Sequence, residues 1–278
     1  MELLSHPFTP SMAASSGIGR AHLERWWREG RIVRLVRGVY LGADVEQTSI
    51  LRARALALVV GRRQIVVDRT AAWVHGAEPL RDRPGMPVPL DLHGRRRPVG
   101  GPVPFGPDEV ILLGGVRCVA ALRTALDLGR QTAPERALGL IDGMLRAGSL
   151  RHQDLLDASE SCAGLPGSRQ LRELAAMADG RASQVAESVL RLRWYDACLP
   201  TPTPALRVAG SRMSLGLPVQ RFGAVLAGQA DGADLARWRS AGWTVLPLDR
   251  ERVLTSDPGY LSEHLEREFH QHLLGQAG

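Results

Sequence analysis

The sequence contains no lysine and no asparagine. Its 35 cationic residues are therefore all arginines, set against 29 acids for a net charge of +6. The absence of lysine excludes a Schiff-base lysine, a P-loop lysine and a lysine general base. Both missing residues use AT-rich codons, and the chain is rich in Ala, Gly, Arg and Pro. A GC-rich genome thus accounts for much of the arginine excess. Cysteine is scarce: Cys118, Cys162 and Cys198 are widely separated and form no CxxC. An odd, dispersed set excludes a disulfide framework and a zinc spacing, and reads as three buried thiols in a reducing cytoplasm. No apolar run approaches the ~18 residues a membrane span requires. The start, MELLSHPFTP, lacks the charged-then-apolar pattern of a secretion signal. The expected location is cytoplasmic, with no membrane partner.

What is present begins with a compact pattern over residues 1–42. Thr9 can cap a short helix over PSMAAS, and Ser16-Gly17 breaks it. A second helix is expected over Arg20–Glu29, stopped by Gly30. Leu23, Trp26 and Trp27 fall on one face of it, and Arg20, Glu24, Arg25 and Arg28 on the other. RIVRLVRGVYL then suits two short strands turning at Arg37-Gly38. Helix, turn, helix and hairpin make the winged helix-turn-helix layout. Between Gly17 and Arg37 stand six arginines and two glutamates, a net +4 in 21 residues. An amphipathic helix with an ordinary solvated face would explain part of this. Basic residues on both helix and wing favour DNA contact. The candidate DNA-binding residues are Arg20, His22, Arg25, Arg28, Arg31, Arg34 and Arg37.

Residues 46–160 read as α/β. A helix over TSILRARALALVV is capped by Thr48 or Ser49, a strand follows at QIVV, and Asp68-Arg69-Thr70 opens a helix ended by Gly76. The Pro/Gly-rich stretch 79–107 is expected to hold one strand, PVPLDLHG, and an arginine triplet, Arg95, Arg96 and Arg97. The triplet reads as a solvated loop tip, with phosphate contact as the alternative. Two strands surround Gly114-Gly115, and the next helix should turn Leu122, Ala125, Leu126 and Leu128 inward. Thr132-Ala-Pro-Glu135 reads as a capping box, and Ser149 as the cap of a helix over RHQDLLDASES. No catalytic set assembles here. His75 reads as a packing or capping residue, and Asp127 and Asp142 as partners of nearby arginines.

From residue 165 onward the pattern is helices, three strand candidates (TPALRV, SRMSLGL, QRFGAVLAG), a helix, the strand WTVLPL and a final helix over Tyr260–Leu274. That order implies an α/β unit with a mixed sheet.

The stretch from Phe8 to Leu41, with GIGRAHLERWWREGRIVRLVRGVYL, resembles the N-terminal winged helix of AbiEi-type antitoxins and their actinobacterial relatives. VVDRTAAWVHG and VAALRTALDLGR are similar to motifs that follow in those proteins. AESVLRLRWYDACLPTPTP, SRMSLGLPVQRFGAVLAG and GWTVLPL resemble the very-short-patch-repair-type, restriction-endonuclease-like domain often fused behind them. The resemblance implies an α/β protein in three parts: a winged helix-turn-helix over 1–43, an AbiEi-like middle domain over 44–163 and a degenerate endonuclease-like domain over 164–278.

That nuclease family carries a glutamate in its first helix, an aspartate in R-x-D-L, and a glutamate and aspartate in V-E-x-D-G. Here Glu187 matches the first, while Ser214, Val225 and Ala227 occupy the other three positions. One carboxylate and a neutral strand cannot hold a divalent ion, so no metal, cofactor or enzymatic activity is expected. Asp231 and Asp234 read as capping or Arg237-pairing residues. Trp194, Leu206, Val208, Leu215, Val225, Trp243 and Val245 occupy core-like positions. The function implied is a DNA-binding, antitoxin-like autorepressor with an inactive nuclease-like domain. The alternatives are a protein-interaction antitoxin that neutralises a nucleotidyltransferase-like toxin, and a Mg-dependent endonuclease. The partners implied are double-stranded DNA and, in the antitoxin readings, a cognate toxin.

Overall fold

The computed structural model describes residues 2–80, 86–94 and 104–276, so the Arg95–Arg97 triplet lies outside the described residues. The chain divides into two compact units, Met1–Ala176 and Met177–Gly278. Among the described residues no helix is long and apolar enough to cross a membrane.

In the first unit, a 3-10 turn (Glu2–Ser5) leads to α1 (Pro10–Ser15), whose cap is the Thr9 hydroxyl accepting from the Met12 N–H. Then come α2 (Arg20–Arg28) and the hairpin β1 (Ile32–Val36) and β2 (Val39–Gly42). Gly38 turns the hairpin at φ +84°, a conformation that costs other residues steric strain. A bulge between Arg34 and Val36 shifts the register of β1. Phe8 exchanges two 2.9 Å backbone hydrogen bonds with Tyr40 and extends the hairpin. The hairpin serves two cores. Ile32 packs with Phe8, Ala13 and Leu23, while Leu35, Val36, Val39 and Leu41 join the core of the following segment. Residues 1–43 and the segment after them therefore share a hydrophobic core.

That segment contains α3 (Ser49–Ala57), β3 (Ile65–Val66), α4 (Asp68–Val74), β4 (Val110–Leu113), β5 (Val116–Val119), α5 (Ala121–Gln131), α6 (Pro134–Arg146), α7 (His152–Ser161) and α8 (Ser168–Met177). The strands form a sheet of order β3-β5-β4, parallel between β3 and β5 and antiparallel between β5 and β4. Thr48 caps α3, as its position before the apolar run suggests.

Several local expectations are corrected. PVPLDLHG forms no continuous strand: Val88 bridges Val36, and Leu92 bridges Val66. Pro87 and Pro89 have no N–H to give to a ladder, so the segment passes from β1 to β3 instead. The Arg69 guanidinium fixes it by donating to both oxygens of Asp91, at 2.8 and 2.9 Å. The Thr132–Glu135 capping box does not form. Thr132 ends α5, and α6 starts at Pro134 after Ala133, with no side-chain cap. Ser149 does not cap α7, whose N-cap is Arg151; its hydroxyl donates to the carbonyls of His75 and Met144. On α5, Leu122 and Leu126 are half-buried, whereas Arg123 and Arg130 are buried, each paired with Asp127 at 2.8 Å. Asp142 is fully buried.

The helix expected to open a third domain packs instead on the first unit. Gln170 Nε2 donates to the carbonyls of Gly129 and Thr132 at 2.7 and 2.8 Å, satisfying the end of α5. Gly167, at φ +79°, lies so close to Arg130 that a Cβ would meet its carbonyl oxygen at 2.1 Å.

The most connected polar group of the unit is Arg52, buried on α3. Its guanidinium donates to the Trp73 carbonyl at 2.7 Å, the Ala77 carbonyl at 3.1 Å and the Gln47 carbonyl at 2.9 Å, and it pairs with Glu78. It also lies over the Trp73 ring, 5.2 Å from its centroid. Arg52→Met should cost about 2–5 kcal/mol, because buried carbonyls lose their donor while the apolar volume stays. Urea unfolding followed by tryptophan fluorescence reads this; a cost below about 1 kcal/mol would show that water replaces the guanidinium.

His75, also buried, donates Nε2–H to the Val119 carbonyl at 2.7 Å. Burial holds its pKa below the ordinary imidazole value, outweighing the opposing backbone hydrogen bond. The unfolded chain therefore takes up a proton near pH ~6.5 that the folded chain refuses. The contribution is complete above that pH and is lost as pH falls through and below it. His75→Gln should flatten stability against pH between about 7 and 5, as measured by urea midpoints.

The second unit contains α9 (Val185–Asp196), five short strands β6 (Thr203–Pro204), β7 (Arg207–Val208), β8 (Ser211–Arg212), β9 (Leu215–Leu217) and β10 (Phe222–Leu226), then α10 (Gly232–Ser240), β11 (Thr244–Leu248), α11 (Arg250–Thr255) and α12 (Pro258–Gln276). The main sheet has order β11-β10-β9-β6 and is mixed, parallel only between β10 and β11. Its core joins Trp194 of α9, Leu215, Leu217, Phe222 and Ala224 of the sheet, and Leu261, Leu265 and Phe269 of α12. Val225 packs with Met213 and Trp238, flanked by half-buried Leu206, Val208, Trp243 and Val245.

Candidate nucleic-acid interface

The succession of α1, turn and α2 follows from local chemistry. Gly17, at φ +78°, sits in the turn from α1, and α2 starts at Arg20 after Gly19. At its other end the N–H of Gly30 meets the Trp27 carbonyl at 3.1 Å, and that of Arg31 meets the Trp26 carbonyl at 2.9 Å. With Gly30 at φ +69° this is a Schellman stop, which aims the chain into β1. Leu23 anchors α2, with Trp26 half-buried beside it. Trp27 is corrected: it is 50% exposed and does not belong to the buried face.

The seven candidate residues separate by environment. Arg20, His22, Arg25, Arg28, Arg31 and Arg37 are exposed, and Arg34 is half-buried on β1 opposite Tyr40. Arg20 pairs with Glu24 at 3.1 Å. Arg31 stands over the Trp26 ring at 5.2 Å and reaches Glu29 at 4.0 Å. Among the described residues, no ion pair or side-chain hydrogen bond engages Arg25, Arg28 or Arg37. Two of these lie on α2 and the third at the hairpin turn. Charge counts do not show which cation an adjacent glutamate or indole has already engaged.

The second place of interest is Glu187, near the start of α9 and 2% exposed. Both its oxygens accept from Arg212, at 2.6 and 2.8 Å, and the Ser183 N–H donates at 2.6 Å. The Ser214 hydroxyl donates to Gln229 Oε1 at 2.8 Å, and Gln229 Nε2 donates to Ser183 Oγ at 3.1 Å. Burial would raise the Glu187 pKa, but the bonds from Arg212 and Ser183 outweigh it and hold the carboxyl low. Val225 is buried among apolar side chains, and Ala227 is exposed. Asp231 and Asp234 form a capping box on α10, and Asp234 pairs with Arg237. Among the described residues, no three His, Cys, Asp or Glu side chains are grouped as a metal would require. The partners Arg212, Gln229 and Ser183 were missed at the level of sequence. The usable signal was an arginine two positions before the serine that stands where an aspartate was expected.

Two of the three cysteines are buried. Burial pushes the Cys118 thiol up to about 12. Cys162 is buried as well, whereas Cys198 is exposed, contrary to expectation.

Comparison with known proteins matches a family model to the N-terminal residues, which include α2. Residues 1–41 match the model of a family described as transcriptional regulators, AbiEi antitoxin. Over most of its length the chain is similar to two uncharacterized proteins of Mycobacterium tuberculosis, from strains CDC 1551 and H37Rv. Each is 29% identical over 267 residues, covering 90% of this chain and 97% of the relative.

The Glu187–Arg212 pair generates a stability prediction. Arg212→Met leaves a buried carboxylate unpaired and should cost about 3–5 kcal/mol, whereas Arg212→Met with Glu187→Met should recover most of that loss. Chemical denaturation of the three variants tests it. Equal losses in single and double variants would show that the pair is not coupled.

Proposed function

We propose that the protein is a DNA-binding transcriptional regulator of antitoxin type, whose C-terminal unit has no nuclease activity. The observation that carries this reading is a pair of unengaged, exposed arginines on the second helix of a helix-turn-helix, followed by a hairpin that carries a third at its tip. The family match falls on the same residues. Charge distribution supports it. Residues 1–176 hold 24 arginines and 18 acids, while residues 177–278 hold 11 of each. The whole net charge of +6 therefore lies in the unit that carries α2. A duplex, with a phosphate charge every ~1.7 Å along its axis, is the complementary partner.

Affinity of the full chain for duplex DNA should fall with salt, with a log–log slope steeper than about −3. Arg25→Ala with Arg28→Ala should weaken the best duplex at least ~10-fold. Fluorescence anisotropy at several salt concentrations reads both, and unchanged affinity in the double variant would sink the proposal.

Against an endonuclease stands the saturation of Glu187 by an arginine in place of a metal ion. With Mg²⁺ or Mn²⁺ the protein should leave supercoiled plasmid intact. Cleavage that disappears in Glu187→Ala would reverse this reading. Toxin neutralisation is a second role that the family description favours, and it is compatible with DNA binding; the charge-balanced C-terminal unit is suited to a protein rather than a phosphate surface.

A further inference from the structure

Resting on that proposal, we infer that Arg25 and Arg28 read guanines in the major groove, while Arg20 and Arg31 serve to neutralise the glutamates beside them. On α2, Ala21, Arg25 and Arg28 fall at i, i+4 and i+7, along one line of the helix directly opposite buried Leu23. All three are exposed. Glu24 flanks this line on one side and Glu29 on the other. Either carboxylate would repel phosphate if left bare. Arg20 engages Glu24 at 3.1 Å, and Arg31, held over Trp26, reaches Glu29 at 4.0 Å. The flanks are thus neutral, and the only net charge on the outward face comes from the two central guanidiniums.

The small side chain at Ala21 decides between base edges and phosphates. A methyl group at the leading turn lets the helix axis sink toward the floor of the groove, where long side chains three residues apart meet base edges. Three residues advance ~4.5 Å along a helix. That spans between one and two base-pair steps of ~3.4 Å. Arginine's fork fits guanine O6 and N7 through two parallel donors, a contact lysine cannot copy. The specified ligand is therefore a duplex with two guanines, on either strand, one or two steps apart.

The test is selection of duplexes from a random pool by the full chain, with Arg25→Lys/Arg28→Lys as the decisive variant. Both substitutions lie on an exposed helix face and preserve charge, so folding and phosphate attraction stay. The parent should enrich the guanine pair. The lysine variant should lose ~10-fold or more of its preference for that motif while its affinity for unrelated duplex changes less than ~3-fold. An identical motif from parent and variant would overturn the inference and leave DNA binding in place, as would a parent motif without paired guanines. Failure of the parent to bind any duplex would overturn both the inference and the proposed function.

Discussion

The first unit depends on how α4 ends. This seven-residue helix is buried from Thr70 to Val74, and its last carbonyls face the interior, where water cannot satisfy them. Three carbonyls at its end and just beyond it are met by side chains from distant segments. Arg52 takes those of Trp73 and Ala77, and the Ser149 hydroxyl takes that of His75. The first turn of α3 and the turn after α6 are thereby tied to one point. The hairpin that follows the basic helix packs on this same core through Leu35, Val36, Val39 and Leu41. A unit as small as α1, α2 and the hairpin has little core of its own. Its hairpin is held against a platform whose geometry Arg52 sets.

Arginine supplies every side-chain cation in this chain except histidine, and the structure sorts the arginines by what surrounds them. Arg52, Arg123 and Arg130 are buried and act as multiple donors to carbonyls and carboxylates. The planar fork makes this economical, since one guanidinium can satisfy three or four acceptors in a fixed arrangement. Arg20 and Arg31 are surface residues spent on neighbouring glutamates. Arg25, Arg28 and Arg37 stay exposed at the candidate interface, and Arg34 is half-buried there. Composition alone merges these groups, and this is why a charge count picks out the basic stretch but cannot rank its residues.

Signals that act within a few residues were legible in the sequence. Thr9 and Thr48 cap the helices they precede, Gly30 stops α2, and Gly38 turns the hairpin. Each depends on one side chain and the adjacent backbone. The errors arose where a distant partner competed for the same group. Ser149 had the right chemistry for a cap, yet a buried carbonyl 74 residues away claims its hydroxyl. Leu122 and Leu126 were expected inward, but Asp127 draws Arg123 and Arg130 into the interior and the helix turns accordingly. The Thr132 box failed because α5 runs through to Gln131 and uses Thr132 as its own end. The proline-bearing segment 86–93 depends on Arg69 and Thr70, whose roles no periodicity reveals.

The second unit shows the same competition at a candidate site. A buried carboxylate must have a cation or several donors, or else take up a proton. Ser214, just before β9, and Val225, on β10, supply no carboxylate that could share a divalent ion with Glu187. An arginine from β8 takes both oxygens, and Ser183, Gln229 and Ser214 close the remaining polar valences in a chain of hydrogen bonds. Such a network gains stability from the carboxylate at the expense of any function that needs the carboxylate free. Opening it to a metal would require removing Arg212 and adding acids at positions 214 and 225 together. Either change alone leaves a buried charge unpaired or a repulsive pair of carboxylates, so each single substitution toward a metal site destabilises the fold.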